Sequence, residues 1–446
     1  MLETWLINQW DRVRNSLWFI PTFGLVISLF AAVLMLNVDA TVRAERLPSI
    51  SWATTTASAA MATMTTLAGS LVGVTGVVFS ITMLTLAQTS SMYGSRLLRS
   101  FLNHNIAQVT LATFLGTSLY CFTILWAIRG DEDLGTFVPH LSVGVGLIGG
   151  MLSFVVFISF INHVAEAIQA TNVVRSVAHD LSDAIDRLFP EEIGHSREDH
   201  QDASDEDAVS SGSTIRSTKE GYLQAIDGET LLHLARKEDL IIQLRCRPGD
   251  FLIKGMPIAA ASATADADEI NKEINQCFLV GSRRTPRQDV ECAILELVEV
   301  AVRALSPGIN DPQTAIACLN YLGASMAKLA QREFPDPCRR DKDGNIRVIA
   351  FPLRFPSAFS SAFEEIRRHA KTSFSVTVHL IRVIGVLAHQ VRRTQDREAV
   401  LQFLNVIERE ATDCPHDIDD KTEILVLVNH VRQTLDCESS SAELAS

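Results

Sequence analysis

Apolar residues gather in four long runs before residue 165, and most clustered charge follows them. The runs cover residues 17–36, 59–85, 106–128 and 137–161. A helix rises about 1.5 Å per residue, so about 20 apolar residues cross a hydrocarbon core of about 30 Å. Each run therefore predicts a transmembrane helix. Pro21 falls in the first turn of the first run, where a missing N–H costs no hydrogen bond. That run ends in Asn37 and Asp39 without a small-residue cleavage site, so it reads as a span and not as a cleaved signal. The unit 1–163 is a predicted four-helix transmembrane domain.

Beyond it the period changes. Val164, Ile168, Val173, Val174, Val177, Leu181, Ile185 and Leu188 recur at helical spacing. They predict a stalk helix over 164–190 that continues the fourth span. Residues 191–213 carry eight acids between Glu191 and Asp207 and no apolar period, which predicts a disordered acidic linker. Residues 214–286 alternate short strand and helix patterns: strands at 221–226, 240–246, 251–254, 257–261 and 277–281, helices at 228–237 and 266–275. Arg247-Pro-Gly-Asp250 is a turn. This is a small α+β module. From 287 to 436 every periodic segment is helical, as in Ile294, Leu297, Val298, Ala301 and Leu305, with a loop where proline and charge cluster near 334–345. That region is a predicted helical bundle, and 437–446 a disordered tail. The fold class is a mainly α membrane protein: four transmembrane helices, an α+β module and a cytoplasmic bundle.

Charge sets the orientation and removes some partners. Arg12 and Arg14 precede the first span, and Arg96 and Arg99 lie between the second and third without an acid. On the other side Arg43, Arg46 and Arg129 are offset by Asp39, Glu45, Asp131, Glu132 and Asp133. The bias places both termini in the cytoplasm. The net charge of −13 argues against nucleic acid, whose phosphates call for a basic surface. The eight cysteines include no CxxC, and the twelve histidines no HxH or HExxH, so no metal or cofactor is expected. No phosphate-binding loop, GxSxG or dinucleotide fingerprint occurs, so no enzyme is expected either.

Two places carry candidate chemistry. The second span holds Gly69, Ser70, Gly73, Gly76 and Ser80 among further threonines. Glycines four apart let helix backbones approach closely. The face is read either as a pore-lining or oligomer-core surface, or as packing inside one four-helix bundle, with the hydroxyls bonded to their own helix. Gly144, Gly146, Gly149 and Gly150 repeat the theme in the fourth span. No Asp, Glu, Lys, Arg or His lies in the middle of a span, which disfavours a proton-coupled carrier and leaves a passive pore open. The second place is polar: Arg284, Asp289, Arg303, Asn310 and Asp311. Asp311 before Pro312 reads as a helix cap, and Asp289 as a cap or as a partner of a nearby arginine. The competing reading is an anion or partner site at a helix N-terminus.

Several motifs in fixed order carry a resemblance: Trp18-Phe-Ile-Pro21, Ala68-Gly-Ser70, Val78-Phe-Ser80, Arg96-Leu-Leu-Arg99, Gly221-Tyr-Leu-Gln-Ala-Ile-Asp227, Pro248-Gly-Asp-Phe251, Arg284-Thr-Pro-Arg-Gln-Asp289 and Ala304-Leu-Ser-Pro-Gly-Ile-Asn-Asp-Pro312. From about Trp18 to Ala330 the chain resembles a family of bacterial integral membrane proteins built on a domain of unknown function. Tyr93-Gly-Ser-Arg96 departs from it, since the family pattern has a proline before the arginine. The resemblance implies the bacterial inner membrane and no established activity. The expectation is a homo-oligomeric assembly in the lipid bilayer suited to a passive channel with a cytoplasmic vestibule. The alternative is a membrane-anchored scaffold or sensor with a cytoplasmic protein partner or ligand.

Overall fold

The computed structural model describes residues 18–44, 56–93, 106–128, 137–167, 169–189, 213–262, 267–413 and 417–443. Two compact units divide at residue 173. The first contains α1 (Phe19–Ala44), α2 (Ala57–Tyr93), α3 (Ile106–Ala127) and α4 (His140–Ala167). All four are long and apolar enough to cross a membrane, and the fold class expected from the sequence holds. Trp18, Phe23, Phe30, Leu84, Trp126, Met151, Phe154 and Ile158 stay exposed, as side chains solvated by lipid do.

The central helix is α3, which packs against α1, α2 and α4. Small residues set its spacing. A Cβ added to Gly24 of α1 would lie 2.9 Å from Ala112 Cβ, and one added to Gly116 would lie 3.4 Å from Gly24 O. Ser118 Oγ donates to Ala68 O at 2.9 Å, which joins α3 to α2. Gly146 and Gly150 of α4 pack on Met64 and Leu67 of α2, and Gly149 on Thr117 of α3. Asp39, near the C-terminal end of α1, is buried and accepts from Leu141 N at 3.1 Å, Ser142 N at 2.9 Å and Ser142 Oγ at 2.5 Å. The first free N–H groups of α4 are thus satisfied by a carboxylate on another span. Tyr120 Oη donates to Ser142 O at 3.0 Å and joins α3 to the same corner.

The stalk departs from expectation. α4 stops at Ala167, and α5 (Ala170–Leu188) starts anew. At the break Glu166 O accepts from Gln169 N at 3.2 Å and from Asn172 Nδ2 at 2.9 Å. The acidic segment 191–212 lies outside the described residues, and Ser213 already belongs to a strand.

In the second unit β1 (Ser213–Arg216), β2 (Gly221–Ile226), α6 (Gly228–Lys237), β3 (Ile242–Leu244), β4 (Phe251–Leu252), β5 (Pro257–Ala261), α7 (Ala267–Gln276) and β6 (Phe278–Gly281) follow in order. The bundle adds α8 (Val290–Ala304), α9 (Pro312–Ala330), β7 (Cys338–Arg340), β8 (Ile346–Ile349), α10 (Phe355–Ala370), α11 (Phe374–Ala388), α12 (Thr394–Asp413) and α13 (Ile418–Glu443). One sheet runs β1-β5-β3-β8-β7 and the other β4-β2-β6.

The hairpin β7–β8 corrects the all-helical expectation for 287–436. Ile346 and Val348 face the interior around half-buried Arg347, and β8 pairs in parallel with β3. Asp341 makes the turn by accepting from Asp343 N and Asn345 N, each at 3.0 Å. The run of charge conceals a period of two. α13 also continues to Glu443, past the expected start of a disordered tail, through a segment without proline or glycine. An aromatic group fills the middle of the bundle, with Phe359 edge-on to Phe363 and Phe403 at 5.1 and 5.3 Å.

Candidate functional site

A connected polar group in the second unit forms where α8 begins. Asp289 is the N-cap, and its carboxylate accepts from Cys292 N at 3.0 Å. Arg284 reaches the same carboxylate with two donors, Nε at 2.8 Å and Nη2 at 3.0 Å. Nη2 also donates to Glu291 Oε2 at 3.0 Å, and Arg247 Nη2 reaches that oxygen at 3.2 Å. Ser361 Oγ, on α10, donates to Glu291 Oε1 at 2.6 Å. Gln288 fixes the approach by pairing with Ile226, accepting from its N at 2.9 Å and donating to its O at 3.2 Å. Pro286 O accepts from Arg187 on α5 at 3.0 Å.

Gly249 lets the turn at 247–250 lie on this cluster. Its φ is +103°, and a Cβ there would stand 2.5 Å from Asp289 Oδ2 and 2.7 Å from Arg284 Nη2. Segments that are far apart in sequence therefore meet at one point. Asp289 has 3% of its side chain exposed and Arg284 19%. Burial pushes the Glu291 carboxyl up, but Ser361, Arg284 and Arg247 outweigh it and hold the group below its usual value. Burial likewise opposes the Arg284 cation, which Asp289 and Glu291 hold above its usual value. Two cations meet two carboxylates, so the cluster has no spare charge for an anion. Its chemistry is that of a joint between module and bundle.

Arg303, Asn310 and Asp311 lie at the other end of α8. With 15 residues the helix is about 22 Å long, so Asp289 and Arg284 do not converge with them. Arg303 pairs with Glu299 at 3.3 Å. Asp311 accepts from Thr314 N at 3.2 Å and Thr314 Oγ1 at 2.5 Å, and Pro312 opens α9. Asn310 is exposed with φ +49°, the left-handed geometry that asparagine tolerates. Ser306 O accepts from Ile309 N and Asn310 N, and Asp311 N donates to Ala304 O at 2.8 Å. Backbone and cap bonds account for the turn.

The α2 face contrasts with both. A Cβ added to Gly69, Gly73 or Gly76 would meet nothing within 4 Å. Thr66, Ser70 and Ser80 are exposed beside them and bond back to Ala62 O, Leu67 O and Gly76 O. The residues 66, 69, 70, 73, 76 and 80 fall at helical spacing, so they form one stripe about 21 Å long. Three of the α4 glycines pack inside the bundle; the α2 glycines do not.

Some residues of these sites carried no sequence signal. Arg247, Glu291 and Ser361 come from three segments, and only Arg247 sits beside a turn motif. Asp39 had a signal, an acid at the end of an apolar run, but nothing in the sequence joined it to Ser142. Among the described residues no group of three or more His, Cys, Asp or Glu is arranged to hold a metal. Burial raises the Cys246 and Cys318 thiols to about 12 and Cys277 to about 11, so they are poor nucleophiles.

A family model described as "Predicted membrane protein (DUF2254)" matches residues 14–385. Uncharacterized proteins of Mycobacterium bovis and Mycobacterium tuberculosis are 27% identical over 443 residues, which cover 97% of this chain and 79% of each relative. No solved structure matches.

Proposed function

We propose that this chain, which belongs to that family of predicted membrane proteins, assembles in the bilayer as a homo-oligomer through the α2 stripe and that the assembly is a passive pore. The observation that carries the reading is the open space over Gly69, Gly73 and Gly76. Glycines spaced by four admit a second helix at backbone distance, and packing contacts drive helix association in lipid. Hydroxyls bonded to their own carbonyls are acceptable to a neighbouring helix, and those near the axis can turn to water or solute. No Asp, Glu, Lys, Arg or His lies in the middle of a span, so the path carries no fixed charge and needs no coupling ion. In this reading both termini and the soluble unit are on the cytoplasmic side of a bacterial inner membrane, and the chain catalyses no reaction.

Purified protein in detergent is weighed by light scattering, then reconstituted in liposomes for flux of ions and small neutral solutes. The expected result is an oligomer with flux, and a Gly73→Leu variant that runs as a monomer and loses it. A wild-type monomer without flux sinks the proposal. An oligomer without flux removes the pore and leaves an anchored scaffold.

A further inference from the structure

We propose that the turn joining β4 to β5 is a docking surface for an anionic lipid headgroup layer. Strand alternation sends Leu252 into the module core, fully buried, and leaves Phe251 and Ile253 outside, 47% and 59% exposed. Tyr222 on β2 stands edge-on to Phe251 at 5.0 Å and widens the apolar patch. Lys254 is exposed at the tip, and Arg216 Nη1 donates to Gly255 O at 2.8 Å, which holds a guanidinium beside it. Of the neighbouring acids, half-buried Asp250 accepts from Arg247 N at 2.9 Å, and exposed Glu220 leads into β2 beside the cations Lys254 and Arg216.

The tip is preorganised. Met256 N donates to Ile253 O at 2.9 Å, Gly255 N to Ser217 O at 2.8 Å, and Ser217 N to Met256 O at 2.9 Å. Gly255 supplies the turn with φ +88°. Docking therefore orders almost nothing new.

The apolar pair with cations beside it matches an anionic interface: aromatic and aliphatic groups enter the headgroup boundary while lysine and arginine meet phosphate. The whole chain carries a net charge of −13, so these local cations are not a general property of its surface. Two apolar side chains and two cations bind weakly alone. The module is covalently joined to the spans, and such tethering raises the effective concentration of a lipid surface enough for a weak contact to count.

The test uses full-length protein in nanodiscs, with Cys338, Cys414 and Cys437 replaced by serine and a fluorophore on Ile253→Cys. A second protein carries it on Val426→Cys, an exposed position on α13. Nitroxide-bearing lipids report proximity. The expected result is quenching at 253 about twofold or more stronger in discs with phosphatidylglycerol than in phosphatidylcholine alone. Quenching should fall toward the phosphatidylcholine level in about 0.5 M salt and in Lys254→Glu, and it should be absent at 426. Equal quenching at 253 and 426, or no dependence on lipid charge, overturns the proposal. So does shielding of the 253 label from aqueous iodide without nitroxide quenching, which would mean that a protein surface covers the tip.

Discussion

The joint around Asp289 and the α2 stripe around Gly73 differ in how their groups are matched. At the joint Arg284, Arg247 and Ser361 donate to Asp289 and Glu291 inside the chain, and a single added Cβ at Gly249 would collide with the ion pair. On α2 three glycines face open space, and the hydroxyls nearby close on their own helix. A largely buried network paired within the chain holds segments in register. An open stripe of small residues adds nothing to the fold of one chain, and its value lies in what approaches it. Polarity in a sequence motif does not separate these cases; whether the partners lie inside the chain does.

The largest expected effect lies at the joint. Asp289→Ala leaves Arg284 short of its main partner and removes the cap of α8. Breaking a buried pair from one side costs about 3–5 kcal/mol. The unfolding midpoint of the second unit, followed by amide hydrogen exchange of α8, should fall by about 10 °C. Glu291 adds a pH signature. Its carboxyl sits below the usual 4.5, so its stabilisation is present above that value and is lost as pH falls through the lower folded value. Glu291→Gln should therefore differ most from wild type at neutral pH and converge with it in the window below about 4.5. An Asp289→Ala protein of wild-type stability would recast the joint as a site kept for binding and break the comparison.

A smaller effect separates glycines within the spans. Gly24→Leu drives a side chain into Ala112, and overpacking of this kind costs about 1–3 kcal/mol. Gly73→Leu meets nothing in its own chain and should leave the detergent unfolding midpoint within the equivalent of about 0.5 kcal/mol, while it abolishes the oligomer. Equal destabilisation by both changes would mean that α2 packs within one chain, and the stripe would lose its special status.

The sequence made some of this readable. Apolar runs of spanning length located all four membrane helices, since a helix in lipid has few alternatives. Asp311 followed by Pro312 was readable as a cap, because the mechanism is local. Asp289 and Arg284 are five residues apart, and a cap or an arginine bridge was among the readings; the structure has both at once. Features whose cause is distant stayed hidden. Nothing near Glu291 announces Ser361, and nothing near Asp39 announces Ser142. β8 escaped because a strand of four residues beside a charged turn carries too short a period to stand out. The open side of α2 was also beyond reach, since the same glycines suit the inside and the outside of a bundle.

The smallest effect tests whether the turn before α9 belongs with the joint or with the stripe. Asp311→Ala sets the scale: losing an N-cap costs about 1 kcal/mol. Asn310→Gly should cost less than half of that. Its φ of +49° suits glycine better than asparagine, which offsets the entropy that glycine adds to the unfolded chain. Among the described residues no side-chain hydrogen bond holds Asn310, so a purely structural turn has little else to lose. If the midpoint and the flux of Asn310→Gly both match wild type, the turn is a cap and sides with the joint. If the midpoint holds while flux falls, the exposed amide serves something outside the chain, and the turn sides with α2.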